Sequence, residues 1–144
     1  MSNLQYWHHH GGVSVPDLDE AIKWYSEKLG FSVEARFDIP PIPAEVAMLV
    51  NGDLRIELFE VPGAAPLPPE RRQPNTDVKT HGNKHMSFAV ACVEPFAEEL
   101  EKRGVDIVWV RRFEFGANIF IRDIAGNLIE FVESPALTGK PSSL

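Results

Sequence analysis

Polar and apolar positions along the chain follow two periods that take turns. From Tyr6 to Val15 and from His85 to Cys92, β-branched and aromatic residues alternate with small or polar ones, which predicts strands. After the first of these, Leu18, Ala21, Ile22, Tyr25 and Leu29 recur at helical spacing and define one apolar face. Asp17 is placed to cap that helix, Glu20 completes a capping box, and Gly30 is placed to end it in a left-handed cap. In the second half Pro95 suits a first helical turn, Ala97 and Leu100 face inward, and Gly104 closes the helix. Alternation then predicts three more strands in each half: Ser32–Asp38, Glu45–Val50 and Leu54–Val61, then Asp106–Arg112, Ala117–Arg122 and Leu128–Glu133. Asn51-Gly52-Asp53 predicts a tight hairpin, and Asp123–Asn127 is its counterpart.

The same unit is therefore written twice. His10 stands 47 residues before Glu57, and His85 stands 45 before Glu130; His10 to Gly30 and His85 to Gly104 span 20 and 19. Three landmarks in register point to duplication. The expected fold class is α+β, with the order βαβββ occurring twice. In 144 residues this is one domain, with module one at about 6–61, a linker at 62–82 and module two at about 83–134. The linker holds five prolines and resists both helix and central strand. It reads as a plain connection or as a lid whose Arg71 and Arg72 could meet an anion. The tail from Pro135 carries no signal.

Strand alternation puts His10, Gly12 and Ser14 on one face, and His85, Ser87 and Ala89 on the equivalent face. Glu57 lies between Ile56 and Leu58, and Glu130 between Ile129 and Phe131, so each carboxylate faces away from an apolar side. A carboxylate facing into a fold needs a cation, hydrogen bonds or water. Two imidazoles and two carboxylates from matched strands suit one divalent ion of Zn, Ni, Co, Mn or Fe, so His10, Glu57, His85 and Glu130 are the candidate ligands. His8 and His9 compete with His10; the five-residue step from His to Val in both halves (10 to 15, 85 to 90) favours His10. His81 falls in the loop before the second module. Glu60 and Glu133 read as solvated charges at strand ends.

Composition narrows the setting. The net charge is −7 and no long Lys/Arg cluster occurs, which disfavours nucleic acid as a partner. No apolar run approaches the length of a membrane span, and Met1–Trp7 lacks the basic and apolar parts of a signal peptide. The single cysteine, Cys92, excludes an internal disulfide and fits the cytoplasm; its apolar surroundings predict a buried, inert thiol.

The stretches His10-Gly-Gly-Val-Ser-Val-Pro-Asp-Leu18, Trp24-Tyr25, Leu29-Gly30-Phe31, His85-Met-Ser-Phe-Ala-Val90 and Gly126-Asn-Leu-Ile-Glu130 resemble the vicinal oxygen chelate superfamily. That group includes glyoxalase I, methylmalonyl-CoA epimerase, extradiol dioxygenases and bleomycin and fosfomycin resistance proteins. The resemblance implies two βαβββ modules forming a curved eight-stranded mixed sheet around a metal-binding cleft, with metal ligands on the first and fourth strands of each module, matching the four residues above. The two-His, two-Glu set is similar to the glyoxalase and epimerase branch. It implies a divalent-metal-dependent lyase or isomerase acting on a small oxygenated metabolite, through proton abstraction and a metal-stabilised enediolate or enolate. Glu130 or Glu57 would be the base. Phe37, Met48, Phe113 and Phe115 are the expected substrate walls, with Arg71, Arg111 or Arg112 meeting an anionic group. A homodimer is expected. The alternatives are a small extradiol-type dioxygenase in which Glu57 is not a ligand, and a non-catalytic binding or resistance protein.

Overall fold

The computed structural model describes residues 3–114 and 116–138. Its elements run β1 (Gly11–Ser14), α1 (Leu18–Leu29), β2 (Ser32–Ile39), β3 (Ala44–Asn51) and β4 (Leu54–Glu60), then a 3-10 turn (Pro69–Arg72) and α2 (Pro74–Asp77). The second set is β5 (Met86–Val90), α3 (Val93–Lys102), β6 (Asp106–Phe113), β7 (Gly116–Arg122), β8 (Leu128–Glu133) and α4 (Pro135–Thr138). The strands form two four-stranded sheets of identical topology, β1-β4-β3-β2 and β5-β8-β7-β6. The first strand of each is parallel to the fourth, and the rest are antiparallel. Even the irregularities correspond: a bulge falls between Val33 and Ala35 in β2 and between Ile107 and Trp109 in β6. This is the α+β arrangement of two βαβββ modules that the duplicated pattern predicts.

β1 is shorter than alternation predicts. Its partner β4 begins at Leu54, and the last paired residues are Gly11 and Ile56. The chain before Gly11 therefore runs past the end of the ladder, and Tyr6 and Trp7 are each 83% exposed. On the opposite side of each sheet from Glu57 and Glu130 lies the core. Leu18, Ala21 and Tyr25 of α1 close over Ala47, Leu49, Ile56 and Leu58, while Val93, Ala97 and Leu100 of α3 close over Ile119, Ile121, Ile129 and Phe131. All belong to one continuous apolar cluster. Each fully buried Leu or Ile contributes about 1.5–3 kcal/mol relative to exposure.

The helix starts correct part of the sequence reading. The Asp17 carboxylate accepts from the Glu20 N–H at 2.9 Å, as expected of a cap. The other half of the capping box is absent among the described residues; Glu60 instead accepts from the Leu18 N–H at 2.7 Å. Glu133 does the same for the Val93 N–H at 3.1 Å. The two strand-end glutamates are thus acceptors for the first amides of α1 and α3, where the helix dipole favours negative charge. Gly30, with φ of 77°, caps α1 through the Ser26 carbonyl at 3.1 Å.

Several contacts join the two modules. The Tyr25 hydroxyl donates to Asp123 at 2.8 Å in a buried setting, and Asp123 also accepts from the Ala125 and Asn127 amides at 2.9 Å each. Burial and the neighbouring Asp123 carboxylate push the Tyr25 pKa well above its ordinary value. Phe31 packs on Phe88 with ring centres 6.4 Å apart. Gly11 and Met86 hold equivalent positions at the seam, and a Cβ on Gly11 would stand 2.9 Å from the Met86 sulfur.

The inter-module segment is more structured than a proline count implies. Pro69 and Pro74 open short helical turns, where the missing amide costs nothing. Asp77, 1% exposed, is ion-paired with Arg71 at 3.0 Å and Lys84 at 3.4 Å. Cys92 is exposed rather than buried, because β5 ends at Val90 and Cys92 caps α3 from outside. Its thiol donates to Glu94 at 3.3 Å, and that hydrogen bond raises its pKa. No helix among the described residues is long and apolar enough to cross a membrane.

Candidate metal centre

The parallel pairing of β1 with β4 sets Gly12 opposite Glu57, and that of β5 with β8 sets Ser87 opposite Glu130. His10 and His85 each precede their strand's glutamate-facing residue by two positions, so they share its face. His10 Nε2 lies 3.4 Å from Glu57 Oε1, and His85 Nε2 lies 3.5 Å from Glu130 Oε1. Each module therefore assembles one His–Glu pair by the same local geometry. The contact of Gly11 with Met86, the residues that follow the two histidines, brings the pairs to the same seam.

The pairs stand as two halves. Among the described residues, the one group of three potential ligand atoms mutually within 4.8 Å is Cys92, Glu94 and Glu133. That group is an ion-pair knot: Arg112 Nη2 lies 2.8 Å from both Glu94 Oε1 and Glu133 Oε2. The Arg112 bonds hold the Glu133 pKa down at about 2 and lower that of Glu94, while they raise that of Arg112. The donors of the His–Glu pairs do fit a divalent ion chemically, since two imidazoles and two carboxylates neutralise a dication.

The two carboxylates differ in their surroundings. Glu130 accepts from Ser87 Oγ at 3.1 Å and from Asn118 Nδ2 at 2.8 Å. Asn118 is itself fixed by a bond from Trp109 Nε1 to its Oδ1 at 3.0 Å. The His85 ring meets the edge of Phe120 at 4.8 Å between centres. Among the described residues Glu57 has one such partner, His10. Sequence reasoning missed Ser87, Asn118 and Trp109 as supports for Glu130. Their register was readable in principle, because Ser87, Glu130, Phe120 and Trp109 lie opposite one another across four strands.

The remaining predicted residues divide. Met48 lies opposite Glu57 on β3, half-buried on the same face. Arg111 also belongs to the pleat face of Glu130, with its guanidinium 3.8 Å from the centre of the Trp109 ring. Phe37 and Phe113 lie farther out on β2 and β6, at 42% and 41% exposed. Phe115 lies outside the described residues. Arg71 is committed to Asp77 and, at 3.2 Å, to the Asn83 carbonyl, and Arg112 to the knot. His8 and His9 are exposed; His9 Nδ1 lies 2.7 Å from His10 Nδ1. His81 borders a cavity of about 1040 Å³ that spans the seam from β1 to His85 and the inter-module segment.

Paired βαβββ modules, each with a His–Glu pair beside its first and fourth strands, define a class of protein. Residues 7–131 match the family model described as Glyoxalase/Bleomycin resistance protein/Dioxygenase superfamily, and the chain belongs to that superfamily. An uncharacterised protein of Bacillus subtilis (strain 168), YwkD, is 28% identical over 104 residues, covering 72% of this chain and 76% of that protein. A glyoxalase family protein from Enterococcus faecalis superposes with a TM-score of 0.74 at 23% identity, covering 88% of this chain and 97% of that one. The trypanothione-dependent glyoxalase I of Leishmania major gives 0.70 at 23% identity, covering 93% and 91%. At these identities the two structures establish likeness of fold.

Proposed function

We propose that the protein is a divalent-metal-dependent lyase or isomerase of glyoxalase or epimerase type, acting on a small oxygenated metabolite. The observation that carries this reading is the matched pair of His–Glu contacts, His10–Glu57 and His85–Glu130, at equivalent register on one face of each sheet. These four side chains would hold one ion of Zn, Ni, Co, Mn or Fe. When bound, the metal supplies Lewis-acid stabilisation for charge developing on adjacent substrate oxygens.

The chain's own residues divide the remaining work. Glu130, held by Ser87 and Asn118, keeps a fixed orientation. Glu57, held among the described residues by His10 alone, is the carboxylate that removes a proton from the carbon beside a carbonyl. Returning that proton to the neighbouring carbon, or to the opposite face of the same carbon, completes an isomerisation with no change of redox state. Positioned acid–base catalysis of this kind is worth about 10²–10⁴-fold. Met48 borders Glu57 and would limit water there. The same proposal includes a cytoplasmic homodimer, in which the exposed Leu4, Tyr6 and Trp7 would be covered.

A second reading, an extradiol-type dioxygenase, draws on the single partner of Glu57, since His10, His85 and Glu130 would then suffice as ligands. Metal analysis of the purified protein with Glu57→Gln beside wild type tests both. The proposed enzyme carries about one divalent ion per chain, and Glu57→Gln loses about 10²-fold or more in kcat with catechols failing to drive oxygen uptake. Wild-type protein that takes up no stoichiometric metal sinks both enzyme readings and leaves a binding protein. Full activity of Glu57→Gln with catechol-dependent oxygen uptake establishes the dioxygenase.

A further inference from the structure

The cavity at the seam has a charge that the whole protein does not. The chain carries −7, yet Arg71, Arg72, Lys84, His81 and His85 all border this space, against the acidic Glu60. Most of these charges are already committed. Arg71 and Lys84 share the Asp77 carboxylate as partner, and Glu60 is turned to the Leu18 amide.

Arg72 differs. Its Nε donates to the Leu67 carbonyl at 3.2 Å, and its own carbonyl accepts from Arg122 Nε at 2.7 Å. The side chain lies on Gly126, where a Cβ would come within 3.1 Å of Nε and 3.3 Å of Cζ. Gly126, at φ of +91°, is the residue type that admits both this backbone and this close approach. The exposed guanidinium is thus oriented by one hydrogen bond and by its packing on Gly126, yet no carboxylate pairs with it among the described residues, and its two terminal nitrogens hold no partner there. A planar, oriented guanidinium with an open edge matches the two oxygens of a carboxylate or phosphate.

We propose that Arg72, with His81 on the same cavity wall, binds the anionic end of the substrate, a carboxylate or phosphate, whose reacting end reaches the His–Glu pairs past His85. This rests on the function proposed above and assigns its substrate class: a small metabolite that carries a terminal anion. It also moves the anion contact from Arg71 to Arg72, because the Arg71 guanidinium is already occupied.

The test is calorimetric titration of inorganic phosphate and of succinate into chelator-treated protein at low salt. Wild type should bind one of the two saturably, and which one it prefers tells phosphate from carboxylate. Arg72→Ala should weaken that binding by roughly tenfold or more, and Arg72→Lys, which keeps charge but loses the fork, by less. Arg36→Ala, an exposed arginine on β2, should leave it unchanged. Failure of wild type to bind either anion overturns the proposal. So does equal binding by Arg72→Ala, or an equal loss in Arg36→Ala. Because the protein is metal-free, this result stands apart from the metal analysis, and either idea can fail alone.

Discussion

Replacing Tyr25 by Phe removes one hydroxyl from the contact that ties α1 to the turn before β8. The ring is fully buried and stays packed, so the change isolates a hydrogen bond to a carboxylate. Bonds to charged groups contribute about 1.5–3 kcal/mol, more than neutral ones, because an abandoned buried charge must be compensated. Here Asp123 Oδ2 keeps one donor, Asn127 Nδ2 at 3.0 Å, which places the loss near the lower half of that range. A cost of about 2 kcal/mol follows. With an unfolding entropy of about 0.3 kcal/mol/K for 144 residues, Tm should fall by about 7 °C. The pH dependence provides a second readout. The folded state holds the phenol proton more tightly than the unfolded chain, so this stability is complete below pH ~10. It is lost as pH rises above that value, with a slope approaching about 1.4 kcal/mol per unit. Wild type should show this alkaline decline, and Tyr25→Phe should lack it. Thermal and urea unfolding between pH 7 and 11 would decide. A loss under about 0.5 kcal/mol at pH 7, or the same alkaline slope in both proteins, would refute the account.

Two further outcomes follow from the side-chain networks. Asn118→Ala leaves Glu130 without its shortest bond, so metal affinity measured by chelator competition should fall about 10–100-fold, and unchanged affinity would remove Asn118 from any supporting role. Glu133, whose pKa is held down at about 2 by Arg112, contributes stability that is present above pH ~4.5 and is lost as pH falls toward 2. Glu133→Gln should flatten that acid limb, and circular dichroism during acid titration would register an unflattened one.

The features legible in the sequence were those written locally. Alternation and helical spacing located six of the eight strands to within one residue at each end, and the His–Glu spacing picked out two pairs that do meet. What escaped depended on partners distant in the chain. The end of β1 is set by where β4 begins, so the aromatic alternation of Tyr6 and Trp7 misled. Glu60 and Glu133 look like loose charges until the helix that follows each module's first strand returns beside them. Cys92 sits in an apolar run, but its exposure is decided by the turn out of β5. Asn118 and Trp109 gain significance from cross-strand register alone, and Arg72 from the glycine beneath it.

The seam residues Gly11 and Met86 carry a consequence for the duplication itself. Related by the same symmetry that relates the modules, they are the smallest and one of the longest side chains, and one fills the room the other vacates. Two copies of module one would meet there glycine to glycine and leave a gap, while two copies of module two would drive methionine into methionine. The ancestral symmetry has been broken at its axis by one lock and one key, so the halves are expected to recognise each other rather than themselves.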